Sequence, residues 1–513
     1  VTMAATAGPE TPAIRARWPV VLAVVLTAVL EVLDSTIVNV ALPHMQAAFG
    51  IAADQTTWIL TSYIVASVVV MPLTGLFSQW LGRRRLITTA IVGFATFSAL
   101  CGVAWSVEIM VLCRLGQGLF GAFLIPLSQS ILFDAFPREK RGQAMAMFGL
   151  GVVVAPVLGP TIGALLTEYF SWRAVFYVNL PIAAFALMMI SGELKKDETR
   201  KVRIDWTGLI LMVVAIGTLQ YMLDQGQSKE WFSSHAIQIA ATVSLLAAIG
   251  FVVHGYGNRA NIIDFALLRD RSFASANIAI VGFGLAMFGS IALLPLFVQG
   301  LLGYPVLDAG FLFIPRGLAA GFSMVITGAV LVRKFDARLL VLIGLGLTGS
   351  GNVMLGFLDL DAGFWDLAWP GVVSGLGMGL FFVPMSTLAF QNIGSDKQDE
   401  ASGIYGVMRS LGSSIGIAFV GWQFVQRTQI HWANLAQNVT PFNPAADAFL
   451  RPLGLSPSTP EGAAVIATHL TAQAQMLAFQ DVFFLAGGAA FLMMPLVFFM
   501  RAPAANMAAA PVH

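Results

Sequence analysis

Charge is scarce in this chain. Only 11% of its 513 residues are Asp, Glu, Lys or Arg, against roughly 25% in soluble domains, so the polar surface that would hold a body of this size in water is missing. The expectation is an integral membrane protein. A dominant sign is missing as well: 28 basic and 27 acidic residues leave a formal charge of +1, without the basic excess that marks a nucleic-acid partner. The two cysteines, Cys101 and Cys113, make neither a disulfide framework nor a zinc spacing. There is no GxxxxGKS/T loop for nucleotide phosphates, no HExxH and no spaced Cys/His cluster. No cofactor or metal is therefore expected, and any uphill work has to draw on an ion gradient. An enzyme would need a convergent His, Asp or Ser constellation, which is absent.

Apolar length is what the chain has in plenty: 57% of its residues are hydrophobic and its mean hydropathy is +0.80. A membrane span needs about 20 such residues. Runs bounded by charge or turn signals number fourteen: 18–42, 56–79, 86–104, 109–133, 143–167, 172–192, 206–223, 234–254, 273–300, 307–331, 338–358, 365–390, 402–424 and 478–500. The fold class expected is all-α and polytopic, in a six, two, six arrangement. Residues 1–192 form the first six-helix bundle. Residues 193–271 are a charged linker, beginning ELKKDETRKVRID at Glu193, with two extra spans. Residues 272–513 form the second bundle, including a long outer loop at 425–477 rich in Gln, Asn, Thr and Pro. The first run is longer than a signal-peptide core and is expected to stay in place.

Lys and Arg resist translocation, so their positions set the orientation. With a cytoplasmic N-terminus, 21 of the 28 lie inside, four lie outside, and Arg114, Arg316 and Arg409 fall within spans. Both termini are then cytoplasmic. Repeated six-helix halves are a transporter architecture, with the substrate site between them near the midplane.

Charges at membrane depth are costly, about 2.5–3.5 kcal/mol for an acid on insertion scales, and so mark working sites. Glu31 and Asp34 stand three residues apart on one face of the first span. A buried carboxyl there suits a proton carrier, although either acid could instead simply bond Arg114 or backbone. Arg114 lies in the fourth span with Gln117 one turn on, and is tolerated there only if paired. It could tune a nearby acid or lock two helices together. In the fifth span Gly151, Ala155, Gly159 and Gly163 recur every four residues, a small face for close packing, while Pro156 and Pro160 each remove a backbone hydrogen bond. Asn39, Gln117, Asn277, Arg316 and Arg409 are the remaining polar candidates for a substrate cavity.

Four stretches carry a family resemblance. LDSTIVNVALP (Leu33 to Pro43), GLFSQWLGRRR (Gly75 to Arg85), RLGQGLFGA (Arg114 to Ala122) and APVLGPTIGA (Ala155 to Ala164), the last followed by WRAVFYVNLP (Trp172 to Pro181), resemble signatures of the major facilitator superfamily. The likeness is to its fourteen-helix drug:proton antiporters of the EmrB and QacA type, most of all the EmrB branch, and it covers nearly the whole chain. It implies a proton-coupled exporter of amphipathic or hydrophobic compounds, working by alternating access in the bacterial cytoplasmic (inner) membrane as part of a multidrug efflux system. Asp34, with Glu31, would carry the proton and Arg114 would assist its transfer. Gly151, Ala155, Pro156, Gly159, Pro160 and Gly163 resemble the antiporter motif, which marks export. Gly75, Gly82, Arg83, Arg84 and Arg85 resemble the cytoplasmic gate, but Gln79 stands where the family usually has Asp and Trp80 where it usually has Arg. The acid of the family's charge relay is thus missing from this turn. The resemblance also implies a periplasmic adaptor and an outer-membrane channel as partners. Alternatives are an exporter of one metabolite or, from other classes, a membrane sensor or membrane-embedded enzyme. A sensor would usually carry a soluble output domain, for which no stretch is long enough.

Overall fold

A backbone in hydrocarbon has no water to bond, so each apolar run satisfies its peptide groups internally as a helix. The computed structural model describes residues 18–51, 53–136, 140–191, 199, 204–257, 263–437, 439 and 443–500. All regular structure among them is helical. The orientation argument's Arg15, Arg17, Arg138, Lys195, Lys196, Arg200, Lys201, Arg203, Arg259 and Arg501 lie outside the described residues.

In chain order the helices are α1 (Trp18–Phe49), α2 (Ala53–Val70), α3 (Thr74–Leu81), α4 (Arg83–Val103), α5 (Val107–Gly121), α6 (Leu124–Ala135), α7 (Arg141–Tyr169), α8 (Ala174–Tyr177), α9 (Asn179–Ser191), α10 (Trp206–Gln225) and α11 (His235–Gly257). They continue as α12 (Arg271–Pro295), α13 (Val306–Phe311), α14 (Phe313–Ile326), α15 (Val332–Lys334), α16 (Ala337–Leu355), α17 (Phe364–Phe390), α18 (Gln398–Ala436), α19 (Pro444–Leu450) and α20 (Pro460–Leu492). Twelve helices among the described residues are long and apolar enough to cross a membrane. The expected runs 143–167 and 172–192 coincide with α7 and with α8 and α9. The expected run 56–79 is broken by a 3-10 turn at Met71–Leu73 that holds Pro72, as the missing proline N–H requires.

The helices gather in two groups. In the first, α1 lies along α7 and α9, α2 along α5, and α4 along α5. In the second, α12 lies along α18, while α14 and α16 flank α17 and α20 packs on α16 and α18. Glycines set the closest approaches: a Cβ at Gly284 would stand 2.7 Å from the Gly412 carbonyl carbon, and one at Gly344 would stand 2.6 Å from Phe381 N. The extra pair α10 and α11 packs together, and α10 also touches both groups. It meets α2 through Trp58 stacked on Tyr221 at 5.9 Å and through Thr61, which donates to Asp224. It meets α18 through Gln220, whose Nε2 donates to Ser414 Oγ at 2.8 Å.

The stretch 425–477 is not an extended polar loop. α18 runs on to Ala436 and α20 starts at Pro460, leaving only a short link that itself holds α19. At 39 residues, α18 is about 58 Å long, nearly twice the roughly 30 Å of a hydrocarbon core. The two helices therefore project together beyond the span. Thr459 caps α20 through Gly462 N at 3.2 Å, with Pro460 in the first turn, a strong helix start.

Candidate functional site

Asp34 is completely buried in the middle of the first helix group, and so is Arg114. Arg114 Nη1 lies 2.5 Å from Asp34 Oδ2. Oδ1 of the same carboxylate accepts from Gln117 Nε2 at 2.8 Å and from Asn179 Nδ2 at 2.7 Å. The guanidinium is held in turn by Ile59 O, 3.1 Å from Nε, and by Gln117 Oε1, 2.7 Å from Nη1. It also lies over the Tyr63 ring at 4.1 Å, a cation–π contact. Helices α1, α5 and α9 thus converge on one carboxylate, both of whose oxygens have donors, and α2 joins through the guanidinium. Of the guanidinium nitrogens only Nη2 is without a partner among the described residues. Asn179 was not singled out from the sequence, although it lies within WRAVFYVNLP. It bonds Ser98 Oγ at 3.0 Å, and Ser98 donates to Phe176 O at 2.8 Å. Gln117 belongs to this network.

Glu31 sits on the same face of α1, 9% exposed. Its carboxylate has no hydrogen bond among the described residues, and the cation acting on it is Arg409 of α18, from the other helix group. Arg316 on α14 is 7% exposed and has neither a carboxylate nor a hydrogen-bond partner among the described residues. Asn277, 3% exposed, donates to Phe273 O at 2.8 Å, and its Oδ1 has no partner among the described residues. Asn39 is exposed further along α1 and joins none of these clusters. An apolar groove of about 590 Å³ between α1, α7 and α9 is lined by Pro19, Leu22, Val25, Met147, Leu150, Gly151 and Met189. With no ionisable lining it offers nothing to a proton.

The small residues of α7 pack on α1. A Cβ on Gly151 would meet Val25 at 2.8 Å, one on Gly163 would meet Ile37 O at 2.8 Å, and one on Gly159 would strike Thr36; Ala155 is 2% exposed. α7 stays helical through both Pro156 and Pro160.

At the end that carries the GRRR turn the two groups are clasped. Arg83 Nε lies 2.7 Å from Asp399 Oδ2, at the start of α18, and Nη1 pairs with Asp134 of α6. Nη2 donates to Ser395 O at 3.1 Å. Ser78 and Ser130 also donate to Asp399. The acid missing from the turn is therefore supplied from two distant elements, by Asp134 and Asp399, and no local pattern marks either of them. Gly75 permits the approach: a Cβ there would lie 2.6 Å from Glu400 Cβ. Gly82 turns the chain with φ of +81°, a conformation open to glycine. Arg85 is exposed. Beside the clasp, Lys397 Nζ lies 2.5 Å from Asp264. Burial opposes charge on Asp264, but the bonds from Lys397 and Ala266 N prevail and hold its carboxyl below the ordinary range.

A profile of the Major Facilitator Superfamily matches residues 24–417. The multidrug export protein EmrB of Escherichia coli K12 is 32% identical over 94% of this chain and 95% of its own length. The fatty acid resistance protein FarB of Neisseria gonorrhoeae is 34% identical over 94% and 96%. Among solved structures, the human organic anion transporter MFSD10 (TETRAN) superposes with a TM-score of 0.59 over 95% of this chain and 100% of that one, at 15% identity, a likeness of fold. The family model covers most of the chain and the relatives above are more than 30% identical over nearly its whole length: the chain belongs to the major facilitator superfamily, on its EmrB branch, and is a membrane transporter rather than an enzyme.

Proposed function

We propose that the chain is a proton-coupled multidrug exporter with fourteen spans, seated in the bacterial inner membrane with its basic end and both termini in the cytoplasm. The observation that carries this reading is the Asp34 site: a fully buried carboxylate with an arginine and two amides on it, one turn from a second acid, Glu31, whose carboxylate has no hydrogen bond among the described residues. With the basic end cytoplasmic, the Arg83–Asp399 clasp makes this the outward-facing form. The halves 1–192 and 272–513 rock about the cavity between them, opening it to one side at a time. Substrate and proton alternate because each favours a different form of the carrier: protonation of Asp34 and Glu31 from outside favours the form that has let substrate go, and their deprotonation to the cytoplasm resets it. A substrate shifts such an equilibrium only by its differential affinity for the two forms.

Of the arginines within spans, Arg114 pairs with Asp34 and Arg409 acts on Glu31, while Arg316 has no carboxylate partner among the described residues. The uncompensated cation is Arg316, so amphipathic compounds with an acidic group gain a charge-assisted bond there, while broad specificity rests on the apolar walls. The test is uptake into everted vesicles under an imposed pH gradient, with a panel of amphipathic acids, cations and neutral compounds. The gradient should drive uptake, collapsing it should stop uptake, and Arg316→Gln should weaken the acids by about tenfold or more, the size of one charge-assisted bond, and spare the neutral compounds. Uptake indifferent to the gradient would overturn the reading. If a single acid alone were carried, export of one metabolite would replace multidrug export.

The projecting ends of α18 and α20 support docking of a periplasmic adaptor that leads to an outer-membrane channel. Shortening both to the membrane boundary should abolish resistance in cells and spare transport in proteoliposomes. Loss of both would make the projection structural.

A further inference from the structure

A second polar line runs through the structure, apart from Asp34 and Arg114. On α18, Gln398, Ser402, Tyr405 and Arg409 follow one another at steps of four, three and four, so they share one helix face. Gln398 and Ser402 are completely buried and Tyr405 is 2% exposed. Yet among the described residues Gln398 Nε2 and Oε1 and Ser402 Oγ have no hydrogen-bond partner. The Tyr405 hydroxyl has Ser386 Oγ beside it, which donates to Phe382 O at 2.7 Å and can still accept. Asn277 Oδ1 on α12 is a fourth atom with no partner among the described residues. Gly284 seated against Gly412 sets the register of α12 on α18, and seven residues back along each helix Asn277 stands level with Tyr405.

Buried polar groups in native proteins find partners, and where protein supplies none they take ordered water. One orphan is a local defect. Four within about 11 Å of one helix interface, strung along with the Tyr405 hydroxyl, are a path. Its inner end is Arg409, which acts on Glu31 across the boundary between the helix groups. Its outer end is Gln398, directly beside Asp399, where the facing charges are Arg83, Asp134, Lys397 and Glu400. Phe390 flanks it, with its ring 5.6 Å from Tyr405 and 4.8 Å from Phe133.

We propose that this face of α18 is the hydrated route by which the proton carried by Glu31 reaches the cytoplasm, with the Arg83–Asp399 clasp as its shutter. The proposal rests on the antiport reading above and adds to it a route and a condition for release. The Glu31 carboxyl gives its proton to the nearest water, each water accepts one proton and passes one on, and one proton emerges past Gln398. The carboxylate left behind faces Arg409. While the clasp is closed, the Arg83 guanidinium repels a proton at the exit, as fixed cations do in water-conducting pores, and the Asp399 oxygens are occupied by Arg83, Ser78 and Ser130. Parting of the halves frees Asp399 and opens the exit, so release waits on the change of access. Without that shutter the outward-facing form would leak protons.

Val and Thr have the same shape and differ by a hydroxyl, so Ser402→Val and Ser402→Thr separate the hydroxyl from its space. In proteoliposomes, substrate counterflow at equal pH reports binding and alternating access with no net proton movement, while transport driven by a pH gradient requires release. Ser402→Val should keep counterflow and lose about tenfold or more of gradient-driven transport, the scale of one buried hydrogen-bond link. Ser402→Thr should keep both. Arg83→Gln should leak protons without substrate, and adding Ser402→Val should stop the leak. Equal behaviour of Val and Thr, gradient-driven transport undiminished in Ser402→Val, or a leak that survives the second substitution would each overturn the route. If the unsubstituted protein shows counterflow but no gradient-driven transport, the antiport reading fails first and the route fails with it.

Discussion

Asp34→Asn stops gradient-driven transport while substrate exchange at equal pH continues. The amide matches the carboxyl in shape and still presents Oδ1 to Gln117 and Asn179, but it can neither bind nor release a proton. It also leaves Arg114, fully buried, without its counter-charge. Breaking a buried pair from one side costs about 3–5 kcal/mol, so the variant should also unfold at a lower temperature in detergent. That loss could be mistaken for a catalytic one, and a double substitution separates them. Asp34→Asn with Arg114→Gln removes both charges and should recover about 1–3 kcal/mol of stability, the range for residues in direct contact, without recovering coupling. Thermal unfolding and vesicle transport measured on all four proteins give the answer. Coupled transport that returns with stability would make the pair a strut between α1 and α5.

Gly75→Ala forces the clasp open. The added Cβ would stand 2.6 Å from Glu400 Cβ and 2.7 Å from its Cα, and backbone cannot swing aside as a side-chain tip can. Overpacking of this kind costs about 1–3 kcal/mol, here only in the form with α3 seated on α18, and so shifts the balance between the two forms by about 5–150-fold. Spin labels on cysteines at Arg85 and Asp336, both exposed at the basic end, should report a longer distance in the variant, and export should fall with the lost outward-facing population. An unchanged distance distribution would mean that the clasp does not set the balance.

Much of this was readable before any coordinates. Hydrophobic length marked the spans because lipid leaves few other uses for twenty apolar residues in a row. Asp34, Arg114 and Gln117 stood out because polar groups at that depth are expensive. The four-residue period of Gly151, Ala155, Gly159 and Gly163 announced a packed face, though not that its partner is α1. What escaped was partnership over distance. Arg83 pairs with Asp399, 316 residues away, and local sequence carries no sign of it. Asn179, inside the run 172–192, carries no local sign that it bonds Asp34. The projecting helices read as loop because their Gln, Thr and Asn content lacks the apolar signature of a span, although Thr459, Pro460 and Glu461 followed by an alanine-rich run make a legible helix start. Tyr405 and Ser402 went unnoticed because a single small hydroxyl in an apolar run is ordinary, and only their shared face with Gln398 and Arg409 gives them meaning.

The central claim is that substrate and proton bind in opposition through the acids of α1. Its most direct test is proton release from the purified protein in weakly buffered detergent, followed with a pH dye as substrate is added. At a pH where the acids are protonated without substrate, binding should release about one proton per molecule, the reciprocal of the effect of protons on substrate affinity, and Asp34→Asn with Glu31→Gln should release none. Saturating binding with no proton released by the unsubstituted protein would contradict the account.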